Sequence, residues 1–225
     1  MIFGRHRSDD SFDEQRRDMV EQQLRRHGIR SERVLDVMGR VPREVFVPER
    51  HRSFAYADNA LPVEHGQSIS QPYMVALMTQ ALELQGDERV LEIGTGTGYQ
   101  AAVLAALCAD VYSVERIAEL AETARARLDE LGIANVEITV GDGTLGWPEH
   151  APYDGIIVTA GAPDAPRTLL DQLADGGRLV IPVGDRFSQM LKAYTKRADG
   201  IREQDLCACK FVPLVGEHGW SGRDA

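Results

Sequence analysis

The sequence lacks any apolar run approaching the roughly 18 residues that a membrane-spanning helix needs. Met1-Ile2-Phe3 gives way at once to charged residues. Neither a transmembrane anchor nor a secretory leader is therefore expected, and the expected compartment is the cytosol. Cysteine is scarce as well. Three cysteines, Cys108, Cys207 and Cys209, are too few and odd in number for a disulfide framework. Cys207 and Cys209 stand on one face of a strand-like run, and no histidine cluster supplies the further donors a metal would require. They are expected to be reduced packing residues, and no metal is expected. Positive charge is also short: 25 Lys and Arg against 35 Asp and Glu leave a net charge of -10. That balance argues against a nucleic-acid platform. The deficit is uneven, since residues 1–50 carry eleven arginines against ten acids and the remainder fourteen basic against twenty-five acidic residues. A GxSxG elbow is absent and His65 has no triad setting, which removes a Ser-His-Asp hydrolase.

What is present describes one globular domain. A chain of 225 residues with 43% hydrophobic and 27% charged content can bury one substantial core with a small appendage. Residues 1–12 are polar and arginine-rich and are expected to form a flexible arm ahead of a single domain over 13–225. Within it, 13–84 read as a helical cap and substrate loop, 85–183 as a βα core, and 184–225 as a hairpin and tail. Phe12 to His27 places Met19, Val20, Gln23 and Leu24 close to one helical face. Ser31 is positioned to cap a second short helix carrying Val34, Leu35 and Met38, and Pro42 ends that stretch. Residues 51–72 are irregular and rich in polar groups, as a recognition loop would be. Ser70 or Gln71 is expected to cap the next helix, with Pro72 in its first turn.

From Arg89 onward the pattern alternates strand and helix, which implies a doubly wound α/β sheet. Strands are expected at 90–93, 111–114, 136–140, 153–159 and 178–183. Gln189 to Arg197 and Gln204 to Val212, separated by Ala198-Asp199-Gly200, read as a closing antiparallel hairpin.

The stretch with the most chemistry is Val90-Leu91-Glu92-Ile93-Gly94-Thr95-Gly96-Thr97-Gly98-Tyr99. A strand, a glycine turn and an apolar helix in that order bring backbone N–H groups to a ligand at a helix N-terminus. Glycines at 94, 96 and 98 give GxGxG, not the GxGxxG of a dinucleotide site, so a nicotinamide oxidoreductase is disfavoured. Glu92, two positions before the first glycine, would repel a pyrophosphate and suits a positively charged or amine-bearing ligand. Glu115 lies 21 positions after Gly94, at the end of the next strand, where a carboxylate accepts both hydroxyls of a ribose. In Gly141-Asp142-Gly143 the acid is placed to reach an adenine amino group. Thr159 ends the fourth strand as a candidate lining residue.

With those residues in view, the chain resembles the class I S-adenosylmethionine-dependent methyltransferases, and more narrowly the protein-L-isoaspartate O-methyltransferase family. The resemblance runs from about Asp13 to Trp220. Besides the glycine motif it rests on Gly66-Gln67-Ser68-Ile69-Ser70-Gln71-Pro72-Tyr73-Met74-Val75-Ala76, Gly141-Asp142-Gly143, Thr159-Ala160-Gly161-Ala162-Pro163 and Phe211-Val212-Pro213-Leu214. It implies a Rossmann-like sheet of seven strands with an N-terminal helical cap and the C-terminal hairpin. It further implies methylation, with S-adenosyl-L-methionine as donor and S-adenosyl-L-homocysteine as product, of the free α-carboxylate of L-isoaspartyl residues in damaged proteins and peptides. In the family the ester closes to a succinimide and repair follows. The family uses no metal and usually acts as a monomer.

By the same resemblance Ser70 is the active-site serine. Glu92, Gly94, Thr95, Gly96, Thr97, Gly98, Glu115, Asp142, Gly143 and Thr159 would hold the cofactor. Ile69, Ser70, Gln71 and Ala160 would meet the substrate; His65, from its place in the loop, is either a further substrate contact or a structural, merely exposed histidine. A methyltransferase with another acceptor shares the cofactor residues, and a nucleotide-binding protein without turnover remains the alternative from a different class.

Overall fold

The computed structural model describes residues 10–221. Of the arm expected over residues 1–12, residues 1–9 lie outside that range, and from Asp10 the chain is already helical. Helix α1 (Asp10–Asp18) continues directly into a more widely wound segment, Met19–Arg25, that buries Met19, Val20 and Leu24 as the periodicity implied. Helix α2 (Glu32–Met38) is capped as expected: Ser31 has extended backbone and its side chain accepts from the Val34 N–H. Helix α3 (Pro72–Leu82) begins at Pro72, but neither Ser70 nor Gln71 caps it with a side chain. The Gln71 amide donates instead to Asp58 at 2.8 Å, tying the substrate loop to itself. Between α2 and α3 the chain makes short 3-10 turns and a two-residue hairpin, β1 (Leu61–Pro62) with β2 (Ser68–Ile69).

The main sheet follows the expected alternation: β3 (Arg89–Ile93), α4 (Tyr99–Ala105), β4 (Asp110–Glu115), α5 (Ala118–Glu130), β5 (Val136–Val140), β6 (Tyr153–Val158), α6 (Arg167–Asp171) and β7 (Leu173–Gly184). Strands β8 (Gln189–Arg197) and β9 (Gly200–Cys209) close it. The order is β5-β4-β3-β6-β7-β8-β9, parallel through β7 and antiparallel beyond. Helix α6 is only five residues long because Pro166 caps its start and Leu173 already pairs with Tyr153. The final strand begins at Gly200 rather than 204, and a bulge leaves Leu206 without a partner between Cys207, opposite Leu191, and Asp205, opposite Lys192.

Strand alternation divides the core into two layers. Val90, Ile157 and Val180 point to one face, where they join Met19, Leu24, Met38, Phe46, Met78 and Leu104 from the helical cap, α3 and α4. Leu91, Ile93, Ile156, Val158, Leu179 and Ile181 point to the other, against Leu169, Tyr153 and Leu214. Each such buried side chain contributes about 1.5–3 kcal/mol, and a one-residue slip would exchange the two faces, which fixes the register of the parallel strands. All three cysteines are free. Among the described residues no helix is long and apolar enough to cross a membrane. Chain order reverses between β4 and β6 on either side of β3, and open α/β sheets place their ligand crevice outside the carboxyl ends of strands at such a point.

Candidate functional site

A cavity of about 450 Å³ opens at that reversal point, within the range that small-molecule sites occupy. Strand β3 delivers the glycine turn to its floor. Gly94 adopts φ +93°, and its N–H donates to the Val114 carbonyl at 2.8 Å. A Cβ built there would stand 2.4 Å from Oγ1 of Thr159, whose hydroxyl donates to the Gly94 carbonyl at 2.7 Å. Glycine is thus required at 94 by both backbone and neighbour. Gly96, at φ +54°, differs: a Cβ there would meet no atom within 4 Å. The space beside it is open, a cradle in which a ligand can approach the main chain.

Glu115 binds the turn to the next element. Its Oε2 accepts from Gly96 N–H at 2.8 Å and its Oε1 from Ile117 N–H at 2.9 Å, at the start of α5. Glu92 is placed differently. It is 0% exposed and does not line the cavity. Its carboxyl lies beneath the turn and accepts from the Ser113 hydroxyl, which is 2.6 Å from that of Thr95. The other oxygen, Oε1, has no partner among the described residues. Burial, and to a lesser degree the charge of Glu115, push its pKa up to about 8 against the opposing Ser113 hydrogen bond. Glu92, expected to hold the cofactor, is thus buried beside the turn and linked to Thr95 through the Ser113 hydroxyl.

Asp142, expected to reach an adenine amino group, packs against the C-terminal segment. Its carboxylate is not in the cavity wall. Oδ1 accepts from the Thr144 N–H and hydroxyl at 2.9 and 2.7 Å, and Oδ2 from the Glu217 N–H at 2.7 Å. Burial opposes its ionisation, but these hydrogen bonds outweigh it and hold the pKa below the usual carboxylate range. The residue anchors the C-terminal segment, which crosses the site. There Val212 to Val215 line the cavity, Leu214 N–H and the Trp220 indole both donate to the Gly161 carbonyl, at 2.8 and 3.0 Å, and Gly161 N–H donates to Val212. Asp142→Ala removes three hydrogen bonds to an ionised group and is expected to cost about 2–4 kcal/mol. Differential scanning calorimetry with and without cofactor checks this, and the half-saturating cofactor concentration is expected to rise as the segment loosens. The carboxylate ionises below its unfolded pKa, so its contribution is complete above the ordinary aspartate range and fades only as pH falls through the folded value.

Of the remaining expected residues, Gly94, Thr95, Gly96, Thr97, Gly143, Thr159, His65, Ile69, Ser70 and Ala160 all line the cavity. Gly98 does not; it packs under Ala124 and Phe46 at the start of α4. Gln71 faces Asp58, as described. Ser70 is half-buried, and its hydroxyl makes no hydrogen bond among the described residues. His65 is exposed at the rim in a left-handed conformation, φ +58°. Sequence reasoning missed Met78, Tyr99 and Gln100 in the wall, and the side-chain role of Val212 to Val215. Tyr99 directly follows the glycine motif, which was the available signal. It also missed Arg43, whose guanidinium holds the Ser70 carbonyl at 2.7 Å.

The site thus combines an open glycine cradle, the buried Glu115 carboxylate beside it, and the Ser70 hydroxyl in one cavity wall. Comparison with known proteins places nearly the whole chain in one family. Residues 14–219 match the family described as protein-L-isoaspartate(D-aspartate) O-methyltransferase. A protein-L-isoaspartate O-methyltransferase of Geobacter metallireducens is 57% identical over 212 residues, covering 93% of this chain and 98% of the relative. A solved protein-L-isoaspartate O-methyltransferase superposes with a TM-score of 0.81 at 32% identity, over 90% of this chain and 67% of its own. A Plasmodium falciparum protein assigned to the same enzyme class, solved in complex with S-adenosyl-L-homocysteine, gives 0.77 at 25% identity over 89% of this chain and 98% of its own.

Proposed function

This chain belongs to the protein-L-isoaspartate O-methyltransferase family, and on that premise we propose that it transfers a methyl group from S-adenosyl-L-methionine to the α-carboxylate of L-isoaspartyl residues in proteins and peptides. The observation that carries the reading is the pairing of the open cradle at Gly96 with the uncommitted hydroxyl of Ser70 across one cavity. The residues present fit the cofactor. Gly94 to Thr97 offer main chain without obstruction, Glu115 offers a carboxylate for hydroxyl groups, and Gly143 and Thr159 complete the wall. Bound there, the cofactor supplies an electrophilic methyl group on a sulfonium centre.

The chain's own part is placement. The acceptor carboxylate is already a nucleophile, so no general base is needed, and the protein must align it and exclude water. The Ser70 hydroxyl donates to one carboxylate oxygen, leaving the other free to attack. Ile69, Val212 and Leu214 provide an apolar wall that keeps water out, and Ala160 leaves room for a peptide backbone. His65 sits at the rim as a contact for the flanking peptide. The protein acts as a monomer in the cytoplasm.

Ser70→Ala is expected to lower kcat about 10–100-fold by loss of one orienting donor, with cofactor affinity within about two-fold of the parent. Equal losses in both would make Ser70 a structural residue. The product chemistry provides the direct check: mass spectrometry of an isoaspartyl peptide incubated with enzyme and S-adenosyl-L-methionine is expected to show a methyl ester that gives way to a succinimide. An ester that forms elsewhere on the peptide, or none, would remove the assignment.

A further inference from the structure

Arg43 opens a short 3-10 turn, Arg43–Phe46, and is fully buried. Its Nε donates to the Ala55 carbonyl at 2.7 Å and its Nη2 to the Ser70 carbonyl at 2.7 Å. The guanidinium carbon lies 4.8 Å over the ring of Tyr99, which itself lines the cavity. Nη1 has no partner among the described residues.

Among the described residues no carboxylate pairs with this cation. The nearest candidate in the chain, Glu44, is committed elsewhere, with Oε1 accepting from Arg16 at 3.1 Å and Oε2 from the Tyr56 hydroxyl. Burial lowers the pKa of Arg43 against the smaller opposing effects of Tyr99 and Tyr56, yet a guanidinium stays charged at neutral pH from so high a starting value. An unpaired buried charge is costly unless something offsets it. Tying two loop carbonyls together requires donors but not charge, and a neutral amide could do it.

The cavity explains why charge is useful there. Its ionisable wall is acidic at the cradle end, through Glu115, with Glu92 beneath; Arg116, beside Glu115, is exposed. That suits a cationic cofactor and opposes an anionic acceptor. A carboxylate brought to Ser70 meets buried positive charge from the side of Arg43, whereas the arginine on the wall, Arg116, is exposed to solvent.

We propose that Arg43 is a positioning residue whose charge, acting through the Ser70 loop and across the Tyr99 ring, gives the acceptor subsite its preference for a carboxylate over a neutral group. This rests on the reading of the acceptor as an isoaspartyl carboxylate. The test compares an isoaspartyl peptide as substrate with the same peptide carrying an α-carboxamide as competitive inhibitor, in the parent enzyme, Arg43→Lys and Arg43→Gln. In Arg43→Gln the KM for the carboxylate peptide is expected to rise about ten-fold or more, with the carboxamide inhibition constant and the cofactor Kd each within about two-fold of the parent. Arg43→Lys keeps the charge and is expected to retain the preference. Should Arg43→Gln fail to fold, Arg43→Met, which keeps an unbranched stem beside Tyr99, carries the same comparison. A neutral variant with the parent's preference would overturn the proposal, as would equal loss in Arg43→Lys and the neutral variant. Absence of transfer by the parent enzyme would instead overturn the acceptor assignment itself.

Discussion

Gly94→Ala is expected to abolish measurable cofactor binding, a loss of at least about 100-fold, while the sheet still forms. Two effects combine. An L-residue in the left-handed region costs about 1–2 kcal/mol, and the new methyl group would stand 2.4 Å from Thr159 Oγ1. Neither side can yield cheaply. The Gly94 N–H is held by the Val114 carbonyl at 2.8 Å, and the Thr159 hydroxyl is held by the Gly94 carbonyl at 2.7 Å. Relief requires the turn to move, and the turn carries the Gly96 cradle and its bond to Glu115. Titration calorimetry with S-adenosyl-L-homocysteine measures the loss. Adding Thr159→Gly removes the clash but not the backbone strain, so partial recovery is the expected result for the double variant. Additive losses would show that the Thr159 contact is not the obstacle.

Glu92→Gln is expected to stabilise the protein at alkaline pH while weakening its grip on the cofactor. The folded pKa, pushed up to about 8 mainly by burial, lies above the unfolded value near 4.5. For such a group the stabilising contribution is complete below the unfolded pKa and is lost as pH rises through the folded one. At 1.36 kcal/mol per unit, ionising the buried carboxyl costs on the order of 4–5 kcal/mol by pH 8.5. Glutamine avoids that, so the variant's Tm is expected to exceed the parent's by roughly 8–15 °C there and to match it near pH 4.5. Cofactor binding has the opposite dependence. A cationic ligand above Glu92 favours the carboxylate, so the parent is expected to bind more tightly as pH rises from 6 to 8 and to release a proton on binding. The variant is expected to bind more weakly and without that slope. Calorimetry in buffers of different ionisation enthalpy counts the proton; no release by the parent at pH 7 would place the ligand's charge away from Glu92.

These two residues also show where the sequence was legible. Gly94, Gly96 and Glu115 were readable because their signal is local or set by one βα unit: spacing along a turn, and the length of a strand and helix. Short β-prone runs alternating with helical segments likewise marked the parallel strands, and Ser31 announced its helix by chemistry that acts within one turn. Glu92 and Asp142 were readable as acids near a ligand, but not in orientation. Whether an acid at a strand end faces the cavity or the sheet depends on pleat and on neighbouring strands. Asp142 finds its partner 75 positions away in Glu217, and no spacing rule connects them. Arg43 carried no signal at all, since an arginine after Pro42 reads as a surface residue until Ala55, Ser70 and Tyr99 close around it.

The most direct test of the account is transfer of labelled methyl from S-adenosyl-L-methionine to an isoaspartyl peptide, run beside the same peptide with a normal aspartyl linkage. The structure and the family predict label on the isoaspartyl peptide alone, in a base-labile ester. Label on neither peptide, with S-adenosyl-L-homocysteine still binding, would contradict the account: the cradle would stand, and the acceptor assigned to Ser70 would be wrong.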